Sequence, residues 1–590
     1  MRFLLITLLL SAVSFGQTNT YTISFENAAH HEAEIKATFP NIKTKTVTAR
    51  MSRTSPGRYA LHEFAKNVYA FKATNSKGEQ LTVKRPDPYS WEISDHDGTV
   101  NISYTLFANR GDGTYSQVDD THAHLNMPAT FIFMDTTEER PIEITFNTRK
   151  DLNWKVATQL KKLTETKYSA PNLYYFLDSP TEVSDYQLRE FMLDSQNIRF
   201  VLHSPDTAED FDTYWEKVKA IVHQQKAVFG QLPSYDFGEY TFLACYIGNA
   251  SGDGMEHRNS TILTSTRTLA EGGLDRNIGT VSHEFFHSWN IERIRPNDLE
   301  PFDFTEANMS ESLWFAEGFT SYYTGLLMAR AGVITAEDYI KGLNGGFNYV
   351  WNSPAREFFN PIEMSYQAPF VDAARSVDPV NRGNTFISYY SYGSVLGLAL
   401  DLSLREKGLN LDDYFKEVWK AHGKNEVAYT VQDLEKVLGN YAGDAFAKAF
   451  FSNYIHASKM PEYKRLFEQV GVALERDDTK AFFGATFADN EKGLMITRAT
   501  QKGSPAYEAG LDSGDLITAI DGVMVSKKDD FDTLLKGMKP GQELAVSFER
   551  FGKSKTTTVK LTSDPTYTIT LEEKVTKKVE KARAAWLEKN

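Results

Sequence analysis

Two histidines four residues apart with a glutamate between them, His283-Glu284-Phe285-Phe286-His287, are the residues of this chain best suited to chemistry. On a helix, positions i and i+4 share a face, so the two imidazoles would project side by side at a separation that suits one zinc ion. Glu284, one position on, is rotated off that axis and can reach a metal-bound water without occupying the metal. A third ligand is available in Trp314-Phe315-Ala316-Glu317-Gly318-Phe319. A carboxylate set among aromatic residues needs a partner. Glu317 would complete a His₂Glu set with one open position, the arrangement of catalytic rather than structural zinc. The chemistry implied is metal-assisted hydrolysis with Glu284 as general base.

Helices must position these groups. Asp275 is the expected cap upstream of His283, and Pro296 bounds that helix downstream. Ser310 is the expected N-cap of a second helix whose apolar pattern runs from Leu313 to Met328. Residues 17–204 alternate apolar and polar in short runs, such as Thr99-Val100-Asn101-Ile102-Ser103-Tyr104, and predict an N-terminal antiparallel β domain. The texture changes over 205–470. An amphipathic helix is expected over Asp212 to Phe229 and a buried strand over 241–247. A β-like run follows at 260–266, and a mostly helical stretch from about 275. Residues 471–565 form a separate glycine-punctuated unit, and the charged tail 566–590 is expected to fold as a short helix against the body. The fold class is therefore multidomain α+β.

The chain has 590 residues, too many for one core. Its formal net charge of −14 excludes the basic footprint of a nucleic-acid binder. Arg2, the apolar run Phe3 to Leu10 and the small residues of Ser11 to Gly16 read as a signal peptide, residues 1–16, so export to the periplasm or the extracellular space is expected. No later stretch of about 18 apolar residues predicts a membrane span. Cys245, the one cysteine, permits no intrachain disulfide and reads as a buried structural thiol.

The stretch Ser282-His283-Glu284-Phe285-Phe286-His287-Ser288-Trp289-Asn290, with Arg295-Pro296 and the segment around Glu317, resembles the glycyl aminopeptidase family, a PDZ-bearing branch of the gluzincin zinc peptidases related to aminopeptidase N. The resemblance covers nearly the whole chain after residue 16. It implies a thermolysin-like mixed α/β and helical catalytic domain over 205–470, a C-terminal PDZ domain over 471–565, and removal of N-terminal residues from peptides, with small first residues such as Gly or Ala preferred. Gly254-Met255-Glu256-His257 resembles the segment that lies on an edge strand and binds the substrate's free α-amine in aminopeptidase N; Glu256 would take the amine, with Gly254 and Met255 beside it. Asp253 and His257 depart from the aminopeptidase N pattern, which bears on the depth of the first pocket. In Ser388-Tyr389-Tyr390-Ser391-Tyr392-Gly393, Tyr390 matches the tyrosine that stabilises the oxyanion, with Tyr389 the alternative. The residues 482–485 resemble a PDZ carboxylate-binding loop, and a C-terminal peptide would then add beside Gly493 to Arg498, against a helix near 530–536. A PDZ fold used for packing or loose substrate capture fits equally well.

Three functions follow from these residues. The first is an exported aminopeptidase acting on peptides with a free N-terminus. The second is a zinc endopeptidase, if Glu256 does not close the cleft. The third is a non-catalytic scaffold working through its PDZ domain, for which an intact Glu284 has no use.

Overall fold

The computed structural model describes residues 17–373 and 380–588, so the expected signal peptide lies outside the described residues. The chain divides into two compact units, and the division passes through the His283 helix. No helix among the described residues is long and apolar enough to cross a membrane.

The first unit comprises Met1–Trp215, Ser234–Glu284 and Phe302–Asn308. Its N-terminal part is β-rich. In the strand Glu32–Phe39, apolar residues at every second position are buried and the intervening ones face out, which is why alternation is legible there. This strand is third from one edge of a seven-stranded sheet and pairs antiparallel with Asn19–Ser24 and Val100–Phe107. The expectation of a purely antiparallel domain is corrected at one place: Asn19–Ser24 and Ile142–Asn147 pair in parallel. Alternation reports which face is buried and carries no information on strand direction.

A second correction concerns the boundary at 204. The strands Gln187–Leu193 and Gln196–His203 join the mixed five-stranded sheet that continues through Glu239–Tyr246, Ser260–Ser265 and Asp253–His257. Glu239–Tyr246 is parallel to both its neighbours and nearly continuously buried, as its unbroken apolar run requires. Asp253–His257 is the edge strand and runs antiparallel. Cys245 is fully buried in the central strand, and burial pushes its thiol pKa up, so it stays protonated.

The second unit comprises Glu216–Pro233, Phe285–Pro301 and Met309–Asn590. Helices dominate its first half, including Gly318–Arg330, Ala336–Trp351 and Tyr389–Glu406. The helix Ala336–Trp351 carries asparagines at 344 and 348, one turn apart. Each amide both donates to and accepts from the backbone of the strand Tyr567–Leu571, at Ile569 and Tyr567, over 2.8–2.9 Å. The helix side thereby satisfies backbone groups that would otherwise be orphaned. That strand pairs with Val472–Arg476, so the tail expected from 566 as a short helix opens instead with a strand, which closes a ribbon with the start of the 471–565 segment, separate from the sheet between them. The intervening sheet runs Phe487–Asn490, Gly493–Ile496, Leu516–Ile520, Glu543–Arg550, Lys553–Lys560 around its own apolar core. The tail forms the helix Lys577–Leu587. Its Trp586 is fully buried, donates from Nε1 to the Tyr322 hydroxyl at 3.0 Å, and offers its carbonyl to Arg330.

Candidate metal centre and substrate cleft

The His283 helix spans Ile278–Phe286, and His287 falls on the turn immediately after it. The cap expected at Asp275 is not there. Thr268 accepts the amide of Glu271 and starts the winding segment, while Asp275 lies inside a short helical turn, Leu274–Arg276. The two phenylalanines between the histidines are fully buried; Phe286 stacks on Tyr323, centroid to centroid 4.8 Å, and so ties this turn to the Glu317 helix.

The second helix also differs from expectation. Helix Leu313–Ala316 has Ser312 at its cap; Ser310 instead accepts the Ser312 amide at 3.0 Å. Ser365 supplies a side-chain acceptor for the Trp314 amide at 2.9 Å. The helix breaks at Glu317, which serves as both its C-cap and the N-cap of Gly318–Arg330.

Ligand atoms of His283, His287 and Glu317 lie within 4.8 Å of one another, and His287 Nε2 is 3.1 Å from Glu317 Oε2. That separation is close to the edge of a tetrahedron built from metal–ligand bonds of about 2.0–2.2 Å. His287 Nδ1 is 2.7 Å from the Asn290 carbonyl. A carbonyl can only accept, so the proton sits on Nδ1 and Nε2 presents its lone pair, the tautomer a metal needs. The Asn290 side chain donates to the carbonyls of Phe315 and Ala316 and to Thr320 Oγ1 at 3.0–3.1 Å. One residue thus fixes the orientation of His287 and the backbone that presents Glu317. A His₂Glu donor set with this support fits zinc. Asn290 stood in the quoted motif, but its role depends on a contact 25 residues away in the chain and carries no local signal.

Glu256, Glu284 and His287 also bring ligand atoms within 4.8 Å of one another, and both carboxylates are buried. Two buried carboxylates this close repel unless cations lie beside them. Glu256 sits on the edge strand, where the sequence comparison expected it. Gly254 precedes it by two; a Cβ there would overlap the Glu284 carboxylate and come within 2.7 Å of Thr280 Cγ2, so a glycine at this position lets the Glu284 side chain lie against the strand. On the far side, a turn at residues 55–59 closes over Glu256. Gly57, at φ +77°, would set a Cβ 3.1 Å from Glu256 Oε2 and into the Met255 sulfur. Arg58 holds the turn by an ion pair with Asp253 and donates to Thr114 Oγ1 at 2.5 Å; Gly113 N–H also donates to Asp253, at 3.1 Å. Asp253, one of the departures from the aminopeptidase N pattern, is therefore the anchor of the turn. His257, the other, pairs with Asp178 Oδ1 at 2.9 Å within the fold.

Tyr390 is the second residue of Tyr389–Glu406, partly exposed, with its ring 4.9 Å from that of buried Tyr389. Two glycines bring this helix onto the Glu317 helix. A Cβ at Gly393 would overlap the Trp314 carbonyl, and one at Gly318 would stand 2.8 Å from the Tyr389 carbonyl. The backbones therefore cross in direct contact beside Glu317. Tyr392 is buried, which pushes its phenol pKa up to about 12; it is part of the core.

In the C-terminal sheet, Gly493–Ile496 pairs on both sides, with Phe487–Asn490 and with Leu516–Ile520. The expectation that a peptide adds beside Gly493 is corrected: the edge strand on that side is Phe487–Asn490, which adjoins the helix Lys528–Lys536, the opposite edge being Lys553–Lys560. Apolar alternation marks both strands alike and does not reveal which is outermost. The loop before that edge is tied from behind, Phe483 accepting from the Ala506 amide at 2.9 Å. Thr500 and Lys502, in the loop after the strand Gly493–Ile496, hold Asn384, six residues before Tyr390: the Asn384 amide donates to the Thr500 carbonyl at 3.1 Å and accepts from the Lys502 amide at 2.7 Å.

The peptidase M61 N-terminal domain matches residues 20–185, the M61 glycyl aminopeptidase domain residues 276–396, and the PDZ domain residues 481–561. The second match contains His283, Glu284, His287, Glu317 and Tyr390; Glu256 lies outside it. A crystal structure of an aminopeptidase N family protein from Idiomarina loihiensis has the same fold, with a TM-score of 0.84 at 23% identity over 97% of this chain and 100% of that one. Likeness to an M1 zinc metallopeptidase from Deinococcus radiodurans is slighter, with a TM-score of 0.44 at 12% identity over 76% of this chain and 95% of that one. No curated protein matches this chain by sequence. With its N-terminal β domain, its peptidase domain and its appended PDZ domain, the chain belongs to the M61 glycyl aminopeptidase family and is a metallopeptidase.

Proposed function

We propose that the protein is an exported zinc aminopeptidase that removes small first residues, Gly or Ala, from peptides with a free N-terminus. His283, His287 and Glu317 hold the zinc, which supplies a Lewis acid for the scissile carbonyl and lowers the pKa of water. Glu284 takes a proton from the attacking water and returns it to the leaving amine. Glu256 pairs with the α-ammonium, flanked by Gly254 and Met255, and so counts one residue before the scissile bond. Tyr390 donates its phenol proton in a hydrogen bond to the developing oxyanion. The first residues of the chain, as a signal peptide, carry it to the periplasm or beyond. The PDZ domain takes a C-terminal peptide along Phe487–Asn490.

The observation that favours an aminopeptidase over an endopeptidase is the turn at Gly57. It lies against Met255 and Glu256, so close that a Cβ on Gly57 would stand 3.1 Å from Glu256 Oε2, which supports a wall at the amine end of the cleft. The test is zinc content together with hydrolysis of Ala-p-nitroanilide. One zinc per chain and activity abolished by Glu284→Ala are expected. Full zinc loading with no hydrolysis, unchanged by that substitution, would favour the scaffold.

A further inference from the structure

Gly254, against which Glu284 lies, also lines a pocket of about 590 Å³. Its walls include the start of the edge strand, the end of its neighbour Ser260–Ser265, and Thr280, one helical turn before Glu284. Arg267 and Arg276 line it too, and both are exposed. Among the described residues neither guanidinium has an ion pair or a side-chain hydrogen bond. The one carboxylate in the lining, Asp253, is already engaged by Arg58 and the Gly113 amide. Two unengaged arginines thus face one end of the cleft in a chain whose net charge is −14.

Chain direction fixes what reaches them. If Glu256 holds the ammonium and the scissile carbonyl lies by Glu284 beside Gly254, a substrate runs from Glu256 toward Gly252, antiparallel to the edge strand. An added strand advances about 3.3 Å per residue, so the second or third residue beyond the scissile bond passes Gly252 and enters the pocket that the two arginines line. We propose that Arg267 and Arg276 form a subsite for a carboxylate at that distance, supplied by the C-terminus of a short peptide. This rests on the aminopeptidase reading above. A planar guanidinium binds a carboxylate bidentately, which a lysine does not reproduce. The enzyme is thereby suited to finishing peptides of three or four residues rather than trimming long chains.

The test compares kcat/KM for Ala-Gly-Gly, Ala-Gly-Gly-amide and Ala-Gly-Glu-amide on the full chain. A charge-assisted pair predicts that the free acid is preferred over the amide by about tenfold, with the ratio shrinking in high salt. Arg267→Ala and Arg276→Ala should each reduce that ratio, and Arg276→Lys should restore it only partly, while Ala-p-nitroanilide hydrolysis is unchanged. Preference for Ala-Gly-Glu-amide over the free acid would move the source to an acidic side chain and overturn the C-terminal assignment. Normal Ala-p-nitroanilide hydrolysis with an acid-to-amide ratio near one, or a ratio untouched by both alanine variants, would overturn the subsite alone. Absence of hydrolysis of every unblocked substrate would overturn the aminopeptidase reading and the subsite with it.

Discussion

The Asn290 carbonyl accepts a 2.7 Å hydrogen bond from Nδ1 of His287, while the same residue's side chain grips the backbone on which Glu317 stands. Two candidate ligands 30 residues apart in the chain are thus set by one residue that is not itself among the candidate ligands.

Asn290→Ala should weaken zinc binding by about 10–100-fold, the usual cost of losing an outer hydrogen-bonding partner. It removes the side-chain bonds and leaves the His287 bond, so chelator titration isolates the Glu317 half of the device. Stability should fall by about 1–3 kcal/mol, since the carbonyls of Phe315 and Ala316 lose a buried donor. An unchanged zinc affinity would remove Asn290 from the site.

Gly57→Ala should lower kcat/KM for Ala-p-nitroanilide by more than about tenfold, because the new methyl meets Met255 and Glu256 in a backbone conformation that disfavours alanine. Gly78→Ala is the control: its φ is +81°, yet a Cβ there meets nothing within 4 Å. It carries the backbone cost alone and should leave kinetics unaltered. Equal effects from both would show that strain, and not the wall over Glu256, is responsible.

Arg330 is buried, donates to Asp412 at 2.7 Å and to the Trp586 carbonyl at 2.9 Å. Arg330→Met leaves Asp412 buried without its cation and should cost about 3–5 kcal/mol in denaturant unfolding. Deleting the tail from residue 577 should destabilise the same unit through loss of Trp586, without changing zinc stoichiometry.

Burial, reinforced by the nearby Arg58 charge, lowers the His62 pKa to about 4. The folded state therefore binds this proton more weakly than the unfolded chain, whose histidine titrates near 6.5. Its contribution to stability is complete above the unfolded value and is lost as pH falls from about 6.5 toward 4. His62→Phe, which can keep the stacking on Phe64, should flatten the stability profile in that window. Wild-type and variant unfolding curves that differ by a constant across it would contradict this.

Much of the fold was legible because its cues are local. Alternation marked strands such as Glu32–Phe39, and the unbroken apolar run marked the central strand Glu239–Tyr246. The HExxH spacing marked His283, Glu284 and His287, and the aromatic setting singled out Glu317. What was not legible depends on contacts distant in the chain. The parallel pairing of Asn19–Ser24, the sheet membership of Gln187–His203 and the outermost position of Phe487–Asn490 are decided by partners that periodicity does not name. Likewise, nothing near Gly57 or Arg58 in the sequence announces that they cover Glu256 and anchor Asp253. The glycines at 318 and 393 carry meaning only once their two helices are seen to cross.

The most direct test of the central reading is hydrolysis of a peptide with a free N-terminus beside its N-acetylated form, on the zinc-loaded chain. Cleavage of the free peptide one residue at a time, with the acetylated peptide untouched, is the result expected from Glu256 beneath the Gly57 turn. Equal cleavage of both peptides would contradict it.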